Sequence, residues 1–214
     1  MSFDVICFDC DSTLSKIEGI DELARRVGME AEMSKLTDLA MNGIVPLQDV
    51  YGRRLSAIKP DSDSIDWVAQ LYISEMVDGV KALFDMLLSQ GKTVHIISGG
   101  LRQAIMPLAA FLGLPDSHVH AVDVYFNADG SYRGFDEASP LARAGGKAEV
   151  VGTLKGCGTI VMVGDGKTDM EAKQAGAYVV GFGGVADRAI VREQADVYTA
   201  EPSLLAVLPY ILQL

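Results

Sequence analysis

The chain has 214 residues, and its 29 Asp and Glu against 18 Lys and Arg give a formal net charge of -11. Hydrophobic residues make up 49% and charged residues 22%, which is typical of a globular protein and excludes a disordered one. Nucleic acid and anionic membrane surfaces are poor candidate partners, because both repel an acidic protein. No apolar run approaches the ~18 residues of a membrane span, and the N-terminus lacks the basic segment of a signal peptide. We therefore expect a soluble, cytoplasmic protein.

Three cysteines cannot build a disulfide framework, and their odd number indicates a reducing compartment. Cys7 and Cys10 have the CxxC spacing of a redox or zinc site. Residues three apart on a strand, however, point to opposite faces, and a zinc site needs about four ligands where no second CxxC exists. We expect core or loop positions for all three cysteines.

Short apolar runs that end in Gly, Asp or Ser recur along the chain. Continuous runs of this length are typical of parallel strands that helices cover on both faces. Helical patterns separate them, as at positions 80–88, where apolar residues have i, i+3, i+4 spacing and Gly91 is placed to end the helix. This alternation predicts an α/β fold with a doubly wound, Rossmann-like parallel sheet. The predicted strands are residues 5–8, 93–97, 159–163, 179–182 and 197–199.

Residues 15–78 contain no strand pattern. Four stretches there carry apolar residues at helical spacing, and they predict a small helical bundle inserted after the first strand. The predicted organisation is an α/β core of residues 1–14 and 79–214 with an inserted helical domain of residues 15–78. A later segment, 122–135, alternates around Asn127-Ala128-Asp129-Gly130 and predicts a β-hairpin.

Two carboxylates, Asp9 and Asp11, follow the first predicted strand. Residues i and i+2 share a face of an extended chain, so these side chains should converge. Like charges at close range raise a pKa unless a cation lies between them, which implies a bound Mg²⁺ or a shared proton. A solvated acidic turn, or a helix capped by Ser12 or Thr13, is an equally good interpretation of this motif alone.

Two further motifs suit phosphate binding. Ser98-Gly99-Gly100 follows a predicted strand and precedes a helix, where a hydroxyl and open backbone N–H groups can hold a phosphate. Lys147 opens a predicted helix, although a cation there opposes the helix dipole, so helix stability does not account for it. An ordinary strand-to-helix turn and a solvated surface lysine are the alternatives for these two motifs.

The segment Gly164-Asp165-Gly166-Lys167-Thr168-Asp169 ends the strongest apolar strand. Its Gly-Lys-Thr is similar to a nucleotide-binding P-loop, but Val161 stands where that loop needs its first glycine. Asp165 and Asp169 instead add two carboxylates at a strand end. Together with Asp9 they complete a candidate site for a hard cation.

In this order on one sheet, the four motifs resemble those of the haloacid dehalogenase superfamily of phosphatases. Asp9-Cys10-Asp11-Ser12-Thr13 is similar to motif I, Ser98 to motif II, Lys147 to motif III and residues 164–169 to motif IV. The helical insert lies where that superfamily has its cap domain. The resemblance covers nearly the whole chain and is strongest to the members that hydrolyse phosphoserine, through the supporting stretches 18–24, 134–137 and 181–184.

The resemblance implies an Mg²⁺-dependent phosphomonoester hydrolase. Asp9 would be the nucleophile that takes the phosphoryl group as an aspartyl-phosphate, and Asp11 would be the general acid and then the base. Mg²⁺ would be held by Asp9, Asp165 and the backbone carbonyl of Asp11. The phosphoryl oxygens would be held by Ser98, Gly99, Gly100, Lys147 and Thr168, while Asp169 would orient Lys147 or a metal-bound water.

Four residues of the insert match substrate-binding positions of the superfamily. Glu18 would meet the ammonium group of phosphoserine and Arg54 its carboxylate, while Met41 and Asn42 would form a wall of the pocket. The pattern itself supports Arg54, which lies on the apolar stripe of its predicted helix, where a solvated arginine is not expected. Neighbouring Arg53 lies off that stripe and fits an exposed position.

Two other functions fit parts of the pattern. A receiver-type signalling domain also has a phospho-accepting Asp, a Ser or Thr and a Lys on a similar sheet, but it needs neither the insert nor Asp11. A related phosphatase could act on phosphohomoserine, phosphocholine or another small phosphomonoester, although Glu18 with Arg54 favours a zwitterionic head group. The favoured reaction would be the last step of serine biosynthesis, and the sequence leaves the oligomeric state open.

Overall fold

The structure, a computed structural model, describes residues 3–42 and 44–212. Most of its strands form one parallel sheet, and a separate pair forms a small antiparallel sheet. The strands are β1 (Val5–Phe8), β2 (Thr93–Leu101), β3 (Val119–Val122), β4 (Val124–Phe126), β5 (Tyr132–Phe135), β6 (Ile160–Gly164), β7 (Tyr178–Phe182) and β8 (Val197–Thr199). The helices are α1 (Gly19–Arg26), α2 (Glu30–Met41), α3 (Leu47–Ile58), α4 (Ser62–Ser74), α5 (Val80–Ser89), α6 (Arg102–Phe111), α7 (Gly146–Thr153), α8 (Lys167–Met170), α9 (Ala189–Gln194) and α10 (Leu208–Ile211).

The parallel sheet has the order β3-β2-β1-β6-β7-β8, and every neighbouring pair in it is parallel. All residues of the two central strands, β1 and β6, are buried. Helices cover the sheet, as where Phe84 of α5 packs on Phe8 with ring centroids 5.1 Å apart. The predicted α/β fold with a parallel sheet is therefore confirmed. The continuous apolar runs form strands such as β1 and β6, in which neither face is exposed to solvent.

Two strands differ from their predictions. β2 continues to Leu101, and α6 begins at Arg102, so Ser98, Gly99 and Gly100 lie within the end of a strand. The predicted end of this strand at Ile97 was wrong, because the register of β2 against β3 shifts between Ile97 and Leu101 and the strand continues through this irregularity. β3 was not predicted at all, since it is a short edge strand whose middle residues are half-buried and not apolar throughout.

The helices α1 to α4 follow β1 directly, as the helical stripes predict, and their side chains line one cavity together with residues at the ends of the sheet strands. The chain enters and leaves this group of helices side by side. Ser15 pairs with Met76 in an isolated antiparallel bridge, and the N–H of Val77 donates to the carbonyl oxygen of Leu14 at 2.9 Å. The two connections therefore form a narrow neck between the helices and the sheet.

The remaining predictions concern the hairpin and the cysteines. β4 and β5 form the predicted antiparallel hairpin around the turn that contains Gly130. Cys7 and Cys10 are buried and Cys157 is exposed, and all three are free thiols. Within residues 3–42 and 44–212, none of the helices combines the length and the apolar character needed to traverse a lipid bilayer.

Candidate active site

The cavity lies where the carboxyl ends of β1, β2 and β6 meet the four inserted helices. Parallel strands bring their polar end residues to the same edge of the sheet, which is why motifs far apart in sequence meet here. On the side of the sheet, the cavity is lined by Asp9, Asp11, Ser98, Gly99, Gly100, Lys147, Asp165 and Thr168. The helices contribute Glu18, Met41 and Arg54 from the predicted set.

A buried lysine joins two carboxylates at the bottom of the cavity. Lys147, in the first turn of α7, places its Nζ 2.7 Å from Oδ2 of Asp9 and 2.6 Å from Oδ1 of Asp169. Burial alone would lower the pKa of Lys147, but the charges of Asp169 and Asp9 outweigh burial and hold it above its ordinary value. The lysine is therefore a fixed positive charge beside Asp9.

Three buried carboxylates, from Asp9, Asp165 and Asp169, place one oxygen each within 4.8 Å of one another. Burial, and next the charge of Asp9, raise the pKa of Asp165 to about 7 and that of Asp169 to about 8. Burial and the nearby charge of Asp9 therefore disfavour the ionised form of both carboxyl groups, and a bound cation would offset this effect. An all-oxygen ligand set of this kind suits a hard divalent cation, so the cluster can hold a metal ion.

Asp11 is held in a different way. Its Oδ1 accepts hydrogen bonds from the N–H of Gly19 at 2.6 Å and from the hydroxyl of Tyr72 at 2.7 Å. Burial, and next the charge of Asp9, raise the pKa of Asp11 to about 6, although these two hydrogen bonds act in the opposite direction. A carboxyl group with such a pKa can both donate and accept a proton near neutral pH.

Glu18 lies at the start of α1 and faces the same cavity. It accepts a hydrogen bond from the hydroxyl of Ser12 at 2.7 Å, and Ser12 has a left-handed backbone with φ of 52° that turns the loop toward it. Burial, followed by the charges of Asp11 and Asp165, raises the pKa of Glu18. Its surroundings therefore disfavour the charged form of this partly buried carboxylate, and a cationic group on a ligand would offset this effect.

Arg188 is a buried cation of the site that the sequence analysis missed. Its guanidinium lies 3.3 Å from Asp165, 3.4 Å from Glu18 and 3.5 Å from Asp38 of α2. It precedes α9 in a loop without an apolar stripe, so nothing in the local pattern indicated burial. The only available signal was its position four residues after Gly184, in a loop that follows a sheet strand.

Arg54 is buried on α3, as its place on the apolar stripe predicted, while Arg53 is exposed. One Nη donates to the hydroxyl of Thr37 at 2.9 Å, but within the described part of the chain its Nε is the buried side-chain polar atom that lacks a hydrogen-bond partner. Burial also lowers the pKa of this guanidinium. A buried donor without a partner carries a free-energy cost, which an acceptor on a ligand would remove.

The two remaining predicted residues, Met41 and Asn42, occupy different places. Met41, the last residue of α2, lines the cavity. Asn42 does not line it, because its side chain turns back and donates to the carbonyl oxygen of Asp38 at 2.8 Å, at the C-terminal end of the helix. The structure therefore brings Met41, and not Asn42, to the other site residues.

Three hydroxyl groups near the site were also missed. Thr13 donates to Oδ1 of Asp165 at 3.1 Å, and Tyr51 donates to the carbonyl oxygen of Gly99 at 2.7 Å. Tyr72, described above with Asp11, is the third. Both tyrosines lie on helical stripes that predict core positions, and both are buried. The available signal was their polar end, because a buried tyrosine hydroxyl needs a partner.

This arrangement defines the class of the protein. An α/β sheet carries a buried acidic cluster and a paired lysine at its carboxyl edge, under an inserted group of helices, as in hydrolases that act on phosphorylated molecules. The comparisons with known proteins then identify the family.

The model of the haloacid dehalogenase-like hydrolase family matches residues 3–176. The phosphoserine phosphatase of Rattus norvegicus is 39% identical over 203 residues, which are 94% of this chain and 90% of the rat protein. The human phosphoserine phosphatase is 37% identical over the same shares. The chain belongs to the haloacid dehalogenase-like hydrolases, and it is an enzyme; the receiver-type alternative is excluded.

Solved structures agree with this membership. A phosphoserine phosphohydrolase-like protein from Francisella tularensis superposes with a TM-score of 0.86 at 28% identity, over 97% of this chain and 99% of that one. A substrate-bound phosphoserine phosphatase superposes with a TM-score of 0.84 at 25% identity, over 99% of both chains. The resemblance that the motifs indicated is therefore confirmed over nearly the whole length.

Proposed function

We propose that the enzyme hydrolyses O-phospho-L-serine to L-serine and phosphate. The observation that carries the proposal is a pair of opposite charges, Glu18 and Arg54, that face the same buried cavity as Asp9. A substrate with an ammonium group, a carboxylate and a phosphate supplies one partner to each. The relatives named phosphoserine phosphatase and the substrate-bound phosphoserine phosphatase among the structural neighbours support this choice of substrate.

The first chemical step is proposed for Asp9. One of its oxygens accepts from the N–H of Cys10 at 2.7 Å and the other contacts Lys147, so the carboxylate is fixed in orientation. Attack on phosphorus forms an aspartyl-phosphate while the bond from phosphorus to the serine oxygen breaks. Asp11 gives its proton to that departing oxygen and then takes a proton from the water that hydrolyses the aspartyl-phosphate.

Charge on the phosphoryl group is proposed to be neutralised from two sides. Lys147 supplies a fixed positive charge, and Ser98, Gly99, Gly100 and Thr168 supply hydroxyl and N–H donors at the strand ends. The carboxylates of Asp9 and Asp165 and the carbonyl of Asp11 would hold Mg²⁺, which when bound neutralises phosphoryl oxygens as a Lewis acid. Asp169 keeps Lys147 in place through its 2.6 Å contact.

We further propose that residues 15–78 act as a cap on a core of residues 1–14 and 79–214. The two chain connections of this segment lie side by side at the neck of Ser15 and Met76, and all four of its helices contribute to the cavity wall. In this role Glu18 meets the ammonium of the substrate, Arg54 meets its carboxylate and Met41 forms an apolar wall. Closure of the cap excludes water from the aspartyl-phosphate until hydrolysis.

The decisive experiment is a phosphate-release screen over small phosphomonoesters with saturating Mg²⁺. Phosphoserine should give the highest kcat/KM. Phosphocholine lacks the carboxylate for Arg54, and phosphohomoserine is one methylene longer, which costs roughly 10–200-fold in a fitted pocket. A clear preference for a phosphate without an amino-acid head group would contradict the proposed substrate while leaving the proposed chemistry intact.

A further inference from the structure

Tyr72 is an inserted-helix residue that contacts the proton-transfer group of the core. It lies on α4, is 1% exposed, and donates its hydroxyl to Oδ1 of Asp11 at 2.7 Å. The same oxygen accepts from the N–H of Gly19 at 2.6 Å, at the start of α1. Both donors belong to the segment 15–78, whereas Asp11 belongs to the loop after β1.

These two donors leave one oxygen of Asp11 for proton transfer. A carboxyl oxygen that accepts two hydrogen bonds has no lone pair left for a proton, so a proton on Asp11 resides on Oδ2. Oδ2 lies beside the phosphate-binding segment, since Ser98 Oγ is 3.4 Å away and a Cβ added to Gly100 would be 2.9 Å away. The leaving oxygen of a phosphomonoester at this segment therefore meets the protonated oxygen.

Packing alone does not require a tyrosine at this position. Tyr72 continues the buried stripe of Ile65 and Val68, where a phenylalanine would bury the same ring. A buried tyrosine hydroxyl needs a hydrogen-bond partner, and the partner here is the half-buried carboxylate of Asp11. The hydroxyl is therefore better explained by Asp11 than by the core of the helical segment.

We propose that Tyr72 is a positioning residue, whose hydroxyl holds Asp11 with Oδ2 toward the leaving group when the helical segment is docked on the core. This inference rests on the proposed phosphatase reaction. In that step a bond from Asp9 to phosphorus forms, the bond from phosphorus to the leaving oxygen breaks, and the proton of Asp11 Oδ2 passes to that oxygen. Tyr72 keeps its own proton throughout.

The test is Tyr72→Phe, assayed with phosphoserine, ethyl phosphate and p-nitrophenyl phosphate at saturating Mg²⁺. The parameter kcat/KM reports the steps up to loss of the leaving group. The alkoxides that leave from phosphoserine and ethyl phosphate need a proton, whereas nitrophenolate leaves without one. We expect kcat/KM to fall about 10-fold or more for the two alkyl phosphates and by less than about 2-fold for the aryl phosphate.

Tyr51→Phe is the matched control, because it deletes the hydroxyl that the same helical segment donates to the core at Gly99 and leaves Asp11 untouched. It should change all three substrates in parallel. A parallel change in Tyr72→Phe, or no change with any substrate, would overturn the proposal. Arg54→Ala separates this effect from head-group binding, because it should spare ethyl phosphate.

The same assays separate this inference from the proposed function. Retained activity of Tyr72→Phe on the aryl phosphate shows that the variant is folded. An Asp9→Asn variant with the same turnover as the wild type would contradict the phosphatase mechanism itself. If the wild type instead requires Asp9 while Tyr72→Phe changes kcat/KM equally for alkyl and aryl phosphates, that result would contradict only the role of Tyr72.

Discussion

Asp9 and Asp11 are two residues apart, but their neighbours give them different chemical roles. Asp9 contacts Lys147 and the N–H of Cys10, which fix the orientation of its carboxylate for the proposed attack. Asp11 has a pKa raised to about 6, chiefly by burial, which favours a proton carrier. One pair of carboxylates thus divides nucleophilic and acid–base chemistry through its surroundings alone.

We predict that Asp9→Asn abolishes turnover of phosphoserine and that Asp11→Asn slows it by about 10²–10⁴-fold, the usual contribution of a general acid. The measurement is phosphate release in ¹⁸O-labelled water, with one labelled oxygen expected in each phosphate. Asp85→Asn is the matched control, because this exposed aspartate pairs with Lys81 on the surface of α5. Comparable turnover by Asp9→Asn and wild type would exclude Asp9 as the nucleophile.

Arg54 and Glu18 should determine the substrate. A charge-assisted hydrogen bond contributes about 1.5–3 kcal/mol, so Arg54→Ala and Glu18→Gln should each lower kcat/KM for phosphoserine by about 10–100-fold. Hydrolysis of p-nitrophenyl phosphate should fall much less, because this substrate has neither the carboxylate proposed to meet Arg54 nor the ammonium group proposed to meet Glu18. Arg53→Ala, one position away and exposed, should leave both reactions unchanged. Equal losses on both substrates would show that these residues support the fold or the cap.

Metal binding should stabilise the protein through the acidic cluster. Because burial and mutual repulsion raise the pKa of Asp165 and Asp169, a divalent cation should favour the folded state. We predict that Mg²⁺ raises the melting temperature of wild type and that chelation abolishes activity reversibly. Asp165→Asn should have a smaller response to Mg²⁺. A melting temperature that does not respond to Mg²⁺ in wild type would argue against a metal site here.

At the scale of elements, the sequence predicts central strands well and edge strands poorly. β1 and β6 are buried on both faces, so their composition alone distinguishes them. β3 lies at the edge of the sheet, and its half-buried His120 interrupts the apolar run. A strand of this kind is stabilised by its pairing with β2, which is a contact between segments distant in sequence.

The site shows the same division between local and distant information. Asp9, Ser98 and Asp165 were found from local motifs because a strand end fixes both their position and their direction. Lys147 was found because a cation at the start of a helix opposes the helix dipole. Arg188, Tyr51 and Tyr72 were not, because their roles depend on which loop or helix faces the cavity after folding. The extension of β2 through Ser98 likewise depends on a register shift against β3.

The edge formed by β2 and β3 contains a cluster of histidines. His95 Nδ1 and His120 Nε2 are 3.1 Å apart, and the His118 ring stacks on His95 with centroids 4.2 Å apart. Burial first, and then the neighbouring His118 and His120, lower the pKa of His95 to about 4. The hydrogen bond between His95 and His120 needs one unprotonated nitrogen, and burial also lowers the pKa of His120, so this pair resists full protonation when the protein is folded.

This cluster predicts a loss of stability in acid. Between about 4 and about 6.5, the pKa of an unfolded histidine, the unfolded chain binds more protons than the folded one, so His95 destabilises the fold as the pH falls. Wild type should therefore lose more stability than His95→Leu between about pH 7 and pH 5, measured as urea midpoints. The comparison of two proteins is needed because Asp165, with its pKa raised to about 7, contributes with the opposite sign. Identical pH dependence would contradict a lowered pKa at His95.

At the scale of the whole molecule, the cap proposal predicts a change in dynamics. If the segment 15–78 closes over a bound ligand, its backbone amides should exchange more slowly with deuterium when beryllium fluoride and Mg²⁺ occupy the site. The buried strand β6 provides an internal reference, since its exchange reports the global stabilisation by the ligand, which the slowing in 15–78 must exceed. Unchanged exchange throughout 15–78 at saturating ligand would contradict a cap that opens and closes.

The neck at Ser15 and Met76 has a consequence for how such an enzyme can diversify. The two chain connections lie side by side and are linked by the bridge and by the hydrogen bond from Val77 to Leu14. For the geometry of the sheet, the whole segment is therefore equivalent to one tight turn. Insertions at such a point disturb a fold little, whatever their length. The segment proposed to select the head group can therefore be exchanged as a module, while the strand ends proposed to carry the phosphate chemistry keep their geometry.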